Sequence, residues 1–397
     1  MPSGSQHVAL VLAGRGARGA YEVGALSVLL GELEPDERPR IIIGTSVGAL
    51  NTAYVAANAQ RSTADLIEGG LAVWRQVRYD QVLEPLVSPG EAARLVGYLG
   101  EVVGLPGVQA TSLLDPGPLA AALPDRIDFA QIHENVTSGR LNAAAVVATS
   151  AETSTSVVFH DDAGNPPVDV RRGIEYVRAE LTVDHVLASA AIPVLFPAVE
   201  VGTGHWYFDG GTRLNTPIKP ALELGAERVV VVALNSLAPR LPHRRERRPD
   251  ALDGAVELIQ AVLVDPLVND VHTLATINAM LSDATREKVA ANERRTGKRQ
   301  VPYMLVAPED PREIGRAAMD VYREHYGKPR DLLRSFNLAA LGHLVSGGRD
   351  TNHGELLSYL LFAPEFIDRL IELGRRDAER WLAASHDHGR WQVGPMR

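Results

Sequence analysis

Residues 40–58 read "RIIIGTSVGALNTAYVAAN". The β-branched run "RIIIG" reads as a strand, and "RVVVVAL" (228–234) is apolar without alternation, as a strand buried on both faces should be. "GALNTAYVAAN" has a helical pattern. Between them Gly44-Thr45-Ser46-Val47-Gly48 forms G-x-S-x-G in the strand-to-helix context that a nucleophile elbow requires. The turn is so tight that its neighbours must be small, hence Gly44 and Gly48. Ser46 then projects from the top of the strand at a helix N-terminus.

One strand upstream, "AGRGARGAYEVGAL", residues 13–26, follows the apolar run "HVALVL". Gly14-Arg15-Gly16-Ala17-Arg18-Gly19 satisfies the dinucleotide pattern G-x-G-x-x-G. A dinucleotide fold also needs a carboxylate roughly 20 residues further on, at the end of the second strand, to hold the ribose. Here that strand ends in the G-x-S-x-G, and Asp36 and Glu37 precede it at the wrong end. A nicotinamide-dependent oxidoreductase is therefore disfavoured. A phosphate-binding P-loop fails too, because no Gly-Lys-Ser/Thr follows the glycines. A right-handed crossover through "YEVGALSVLLGEL" makes the two strands neighbours. The Gly14–Gly16 amides would then sit beside the Ser46 hydroxyl, where N–H donors stabilise the oxyanion of an ester under attack by roughly 3 kcal/mol each.

The same alternation of β-branched runs and helical patterns continues along the N-terminal half and predicts an α/β fold with a mainly parallel sheet. Strands are expected at His7–Leu12, Arg40–Gly44, Ala143–Thr149, Ser156–His160, Trp206–Phe208, Arg228–Leu234 and Pro302–Val306. Tyr79 to Phe129 reads as helical turns and loops over one end of the sheet. Helical periodicity dominates Asp250–Met280 and Pro311–Ser385, where "EFIDRLIELGRRDAERWLAA" is a good amphipathic helix. The expected organisation is a core over 1–240, with 80–130 a possible cover for an acyl chain. A mainly helical region, 241–397, would pack on that core and add at least one strand.

The 397 residues, 45% hydrophobic and 22% charged, suffice for a full core. A net charge of −9 argues against a nucleic-acid partner, and zero cysteines exclude disulfides, thiolate metal sites and a Cys nucleophile. No run approaches the roughly 18 apolar residues of a membrane span. "MPSGSQ" lacks the basic start of a signal peptide, and Pro2 excludes N-myristoylation. The expected place is the cytoplasm, with contact at a membrane surface left open. Arg244, Arg245, Arg247 and Arg248 could touch anionic head groups, although a solvated loop is the preferred reading.

A base for Ser46 is best found in "HWYFDGGTRLNTP". Asp209 follows a short aromatic strand and precedes two glycines, on a bend with no side chains behind it. Buried beside the serine, its pKa would rise and it could take the proton directly. An Asp-Gly-Gly turn alone is a weak signal. A Ser-His-Asp triad using His343 or His353 is an alternative, though both lie in polar, turn-like segments.

Gly-rich loop, early G-x-S-x-G and later D-G-G, in that order, resemble the patatin-like phospholipases. "ASAAIPVLFPAVEV" (188–201), "NTPIKPALELGAERVVVV" (215–232) and "SLLDPGPL" (112–119) extend the resemblance. It covers roughly residues 7–235 and fades beyond. It implies a three-layer α/β/α fold and a lipid acyl hydrolase with Ser46 as nucleophile and Asp209 as base. Gly14, Arg15 and Gly16 would supply the oxyanion amides. Arg18 matches the family loop's arginine and would face a lipid phosphate or fix the loop. No cofactor or metal is required, and the substrate would be a lipid or a membrane surface. One departure stands out. The family has three successive glycines where this chain has Arg15 in the middle, a substitution that matters if the position needs φ > 0. An impaired loop would leave a binding or scaffold protein. Otherwise the Arg15 side chain could fold over the site and meet an anionic head group.

Overall fold

The computed structural model describes residues 7–83, 112, 114–162, 173–236, 238, 300–327, 352–385 and 389–393, with the side chains of 352 and 353 outside that description. In chain order the elements are β1 (Val8–Leu12), α1 (Gly19–Glu32), β2 (Ile41–Thr45), α2 (Val47–Ala57), α3 (Thr63–Gln76), α4 (Tyr79–Val82), α5 (Gly117–Arg126), α6 (Phe129–Thr137), β3 (Ala143–Ser150), β4 (Ser156–Asp162) and β5 (Ile174–Arg178). There follow α7 (Val183–Ser189), β6 (Val199–Glu200), β7 (Trp206–Asp209), α8 (Ile218–Glu223), β8 (Arg228–Val232), β9 (Tyr303–Val306), α9 (Glu313–His325), α10 (Asn352–Leu360) and α11 (Pro364–Ser385).

The main path of the sheet runs β5-β4-β3-β2-β1-β8-β9. β1, β2, β3, β8 and β9 are mutually parallel, and β4 runs antiparallel to β3. The central strands are apolar on both faces because both are covered. Leu10, Leu12, Ile42, Val146 and Val230 join one core, and Ala9, Val11, Ile41, Val147 and Val229 join the other. Helices flank a mostly parallel sheet in a three-layer α/β/α arrangement. All seven expected strands form, with ends moved by one or two residues. β5 and the two-residue β6 are additional.

Two features of the topology position the site. First, β1 pairs with β2 in parallel, Leu12 opposite Gly44, so the turns after these strands lie side by side. Second, β3 is longer than β2. β2 ends with Thr45 opposite Val147, and β7 then takes over the same edge of β3, with Asp209 opposite Ala148. The antiparallel β7 thereby delivers its last residue to the point where β2 turns away.

α11 packs along α1. The approach is close enough that a Cβ on Gly24 would meet the Ile371 carbonyl oxygen at 2.2 Å, and one on Gly374 that of Tyr21 at 2.0 Å. Tyr21 also donates its hydroxyl to the buried Asp377 at 2.8 Å. The basic run 244–248, the helical stretch 250–280, His343 and the His353 side chain lie outside the described residues, as do 84–111 within the expected cover.

Candidate active site

Ser46 stands between β2 and α2 with φ 55° and ψ −126°, a conformation that costs of order 1–3 kcal/mol and persists only where the surroundings enforce it. The surroundings are tight. A Cβ on Gly44 would lie 2.3 Å from the Gly48 carbonyl oxygen, and one on Gly48 2.5 Å from that of Leu12. The Ser46 backbone N–H donates to Ser189 Oγ at 2.9 Å, and that hydroxyl donates onward to the Val147 carbonyl at 2.6 Å. Ser189, at the end of α7, is therefore a peg between the turn and β3. It lies inside the quoted "ASAAIP" stretch, yet nothing in a small-residue run marks one serine for this task.

The Ser46 hydroxyl donates to Asp209 Oδ2 at 2.5 Å. Asp209 is buried, and its other oxygen accepts from the Gly211 N–H at 2.6 Å. Burial pushes its pKa up to about 6, against the opposing pull of the Ser46 and Gly211 hydrogen bonds and the Arg15 charge. A carboxylate at this distance and pKa can accept the serine proton near neutral pH without a histidine between them.

The Gly-rich loop lies against this pair. A Cβ on Gly14 would stand 2.2 Å from Ser46 Cβ and 2.3 Å from the Thr45 carbonyl oxygen, so only glycine lets the loop come so near. Arg15 has φ 177°, extended backbone that any residue adopts. The position therefore has no need of a glycine. Gly16 does have one: its φ is 49°, and an added Cβ would lie 2.0 Å from the Tyr359 carbonyl oxygen.

The Arg15 side chain is buried and donates from Nη1 to the Tyr359 hydroxyl at 3.1 Å. It reaches toward α10 rather than folding over the site. The expectation that Arg18 binds substrate is likewise corrected. Arg18 is buried, and its guanidinium donates to Glu355 Oε2 and Ser358 Oγ at 2.6 Å and to Asn235 Oδ1 at 3.1 Å. Of the two roles considered, fixing the loop is the one its contacts serve. Glu355, Ser358 and Tyr359 were not legible as partners, because contacts some 340 positions apart leave no local pattern.

Beneath the loop a second polar cluster ties three helices together. Asn51 of α2 donates to the Gly19 carbonyl at 3.0 Å and to Glu22 of α1 at 2.7 Å, and accepts from the Trp74 indole of α3 at 2.9 Å. Burial raises the Glu22 pKa well above the usual carboxylate range.

From Ser46 an apolar cavity extends along α2, bordered by Gly16, Val47, Leu50, Trp74, Leu123, Ile192 and Phe362. α4 and α5, from the expected cover, supply part of its wall. Among the described residues no group of His, Asp or Glu side chains is placed to hold a metal ion, and no helix is long and apolar enough to cross a membrane.

A family model described as Patatin-like phospholipase matches residues 10–222. No curated protein matches the chain. A solved structure, VipD from Legionella pneumophila, is similar at 13% identity and a TM-score of 0.36, over 96% of this chain and 67% of that one.

Proposed function

We propose, from the premise that this chain belongs to the patatin-like phospholipase family, that it is a serine acyl hydrolase cleaving fatty-acyl esters of phospholipids or related lipids. The observation that carries the reading is the buried 2.5 Å contact between Ser46 Oγ and Asp209 Oδ2. Asp209 takes the hydroxyl proton as Ser46 Oγ attacks the ester carbonyl. The backbone amides of Gly14, Arg15 and Gly16 face the developing oxyanion. The alkoxide leaving group departs with a proton from Asp209, leaving an acyl-enzyme. Water, deprotonated by Asp209, then attacks the acyl carbon, and the fatty acid and free Ser46 result.

The apolar cavity suits the acyl chain of a lipid engaged at a membrane surface. We read residues 1–240 as the catalytic core, 80–130 as part of the acyl-chain cover, and 241–397 as a helical region packed on that core. The rival reading, a silent binding protein spoiled by Arg15, loses its main support, because the Arg15 backbone is extended. A triad through His343 or His353 is less favoured, since Asp209 already stands against Ser46 without an intermediary.

The test is turnover of p-nitrophenyl acyl esters and phospholipid vesicles by the wild type and Ser46→Ala, with fluorophosphonate labelling to locate the nucleophile. Abolished turnover and lost labelling in Ser46→Ala are expected. Full activity in that variant, or labelling at another residue, overturns the assignment. Loss of both activity and labelling in a folded His343→Ala or His353→Ala protein would favour the triad.

A further inference from the structure

α10 lies well beyond the family-matched residues, yet it meets the Gly-rich loop at three points. The Tyr359 carbonyl oxygen occupies the space that a Gly16 side chain would need. The Tyr359 hydroxyl accepts the hydrogen bond from Arg15 at 3.1 Å, and its ring lies under the Arg18 guanidinium, 4.6 Å from ring centre to Cζ. Glu355, one turn earlier, and the adjacent Ser358 hold Arg18. Tyr359 is fully buried and also borders the cavity at Ser46.

Oxyanion donors work only when held near their final positions, and a displacement of about 1 Å can cost 100-fold in rate. A glycine at position 15 has no side chain by which the loop could be held. Arg15 has one, and the Tyr359 hydroxyl accepts a hydrogen bond from it.

We infer that Tyr359 is a positioning residue, whose hydroxyl acts through Arg15 to hold the oxyanion loop in register with Ser46. The inference rests on the hydrolase reading above. The brace belongs to this chain's own departure from the family loop: Arg15 donates to the Tyr359 hydroxyl, and the two act as a pair.

Tyr359→Phe tests it directly, because the ring still borders the cavity and still stacks under Arg18. With p-nitrophenyl octanoate, Tyr359→Phe is expected to lower kcat about tenfold and leave KM within about twofold. The rate of Ser46 labelling by a fluorophosphonate should fall in parallel. In an Arg15→Gly background the same substitution should change kcat by less than about twofold, since the acceptor then has nothing to hold. Arg15→Met, which deletes the donor instead, should reproduce the kcat loss and decides the matter if Tyr359→Phe fails to fold. Wild-type kcat in Tyr359→Phe or in Arg15→Met overturns the inference. So does an equally large fall in the Arg15→Gly background, or a change confined to KM. Wild-type protein that labels at Ser46 while Tyr359→Phe labels as fast removes the brace and leaves the hydrolase reading standing. Wild-type protein that does not label at all removes both.

Discussion

Ser46 Oγ and Asp209 Oδ2 lie 2.5 Å apart, although 163 positions separate them in the chain. The meeting is a product of strand lengths. β3 outlasts β2, and the vacated edge receives β7 running the other way, which ends at Asp209.

That contact sets a pH dependence. Asp209 must be ionised to accept a proton, and burial raises its pKa to about 6. kcat/KM should therefore fall on acidification with an apparent pKa of about 6 and level off above it. Arg15 opposes the rise through its charge, so Arg15→Gly should move this limb to higher pH. Initial rates of an ester whose own hydrolysis is insensitive over this range measure both. A limb near the usual carboxylate range, unmoved in Arg15→Gly, would contradict the assignment of Asp209.

The same shift bears on stability with a defined sign. The folded protein binds the Asp209 proton more tightly than the unfolded chain does. Stability therefore declines as pH rises from about 4 to about 6, and the deficit persists above that window. Asp209→Asn should be inactive yet more stable at pH 8, on the order of 2–3 kcal/mol, with the gain gone near pH 4. Thermal or denaturant unfolding at the two pH values checks it. An Asp209→Asn protein that is less stable at pH 8 would show that the carboxylate is not under strain there.

Ser189 pegs the turn that carries Ser46. In Ser189→Ala the Ser46 N–H and the Val147 carbonyl lose their shared partner. A cost of about 1–3 kcal/mol is expected from the buried groups left unpaired. Because one of them belongs to Ser46, the proposed nucleophile, kcat should also fall, by about tenfold, with KM little changed. Unfolding curves and steady-state kinetics on the same preparation report the two effects. Loss of stability with wild-type kcat would confine Ser189 to the scaffold.

Leu50 borders the cavity one helical turn beyond Ser46, about 6 Å along the axis of α2. Leu50→Trp should obstruct the cavity behind the reacting carbonyl. Turnover of the p-nitrophenyl laurate ester should fall at least tenfold, and that of the butyrate should stay within about threefold. A uniform loss across the two esters would place the acyl chain elsewhere.

How much of this could be read from residues alone follows from how local each constraint is. β1, β2, β3 and β8 announced themselves because strands covered on both faces are apolar throughout. β5 did not, since its residues are only partly buried and its composition is mixed. β6 is too short for any pattern. The turns at Ser46 and Asp209 were legible because tight turns exclude side chains and leave glycines behind. Arg15 posed a question about φ that only the backbone could answer. The partners of Arg18 were beyond reach: the segment around His353 reads as polar and turn-like, whereas it opens the helix Asn352–Leu360 that the fold lays against the loop.

The pairing of α1 with α11, and of the loop with α10, has a temporal meaning. Synthesis delivers Ser46 early and Tyr359 late, and contacts of such sequence separation close slowly. A chain still emerging from the ribosome already carries Ser46, but the loop beside it waits for the segment that will pack against it. On the proposed hydrolase reading, activity would wait until α10 has been made and has docked on the loop.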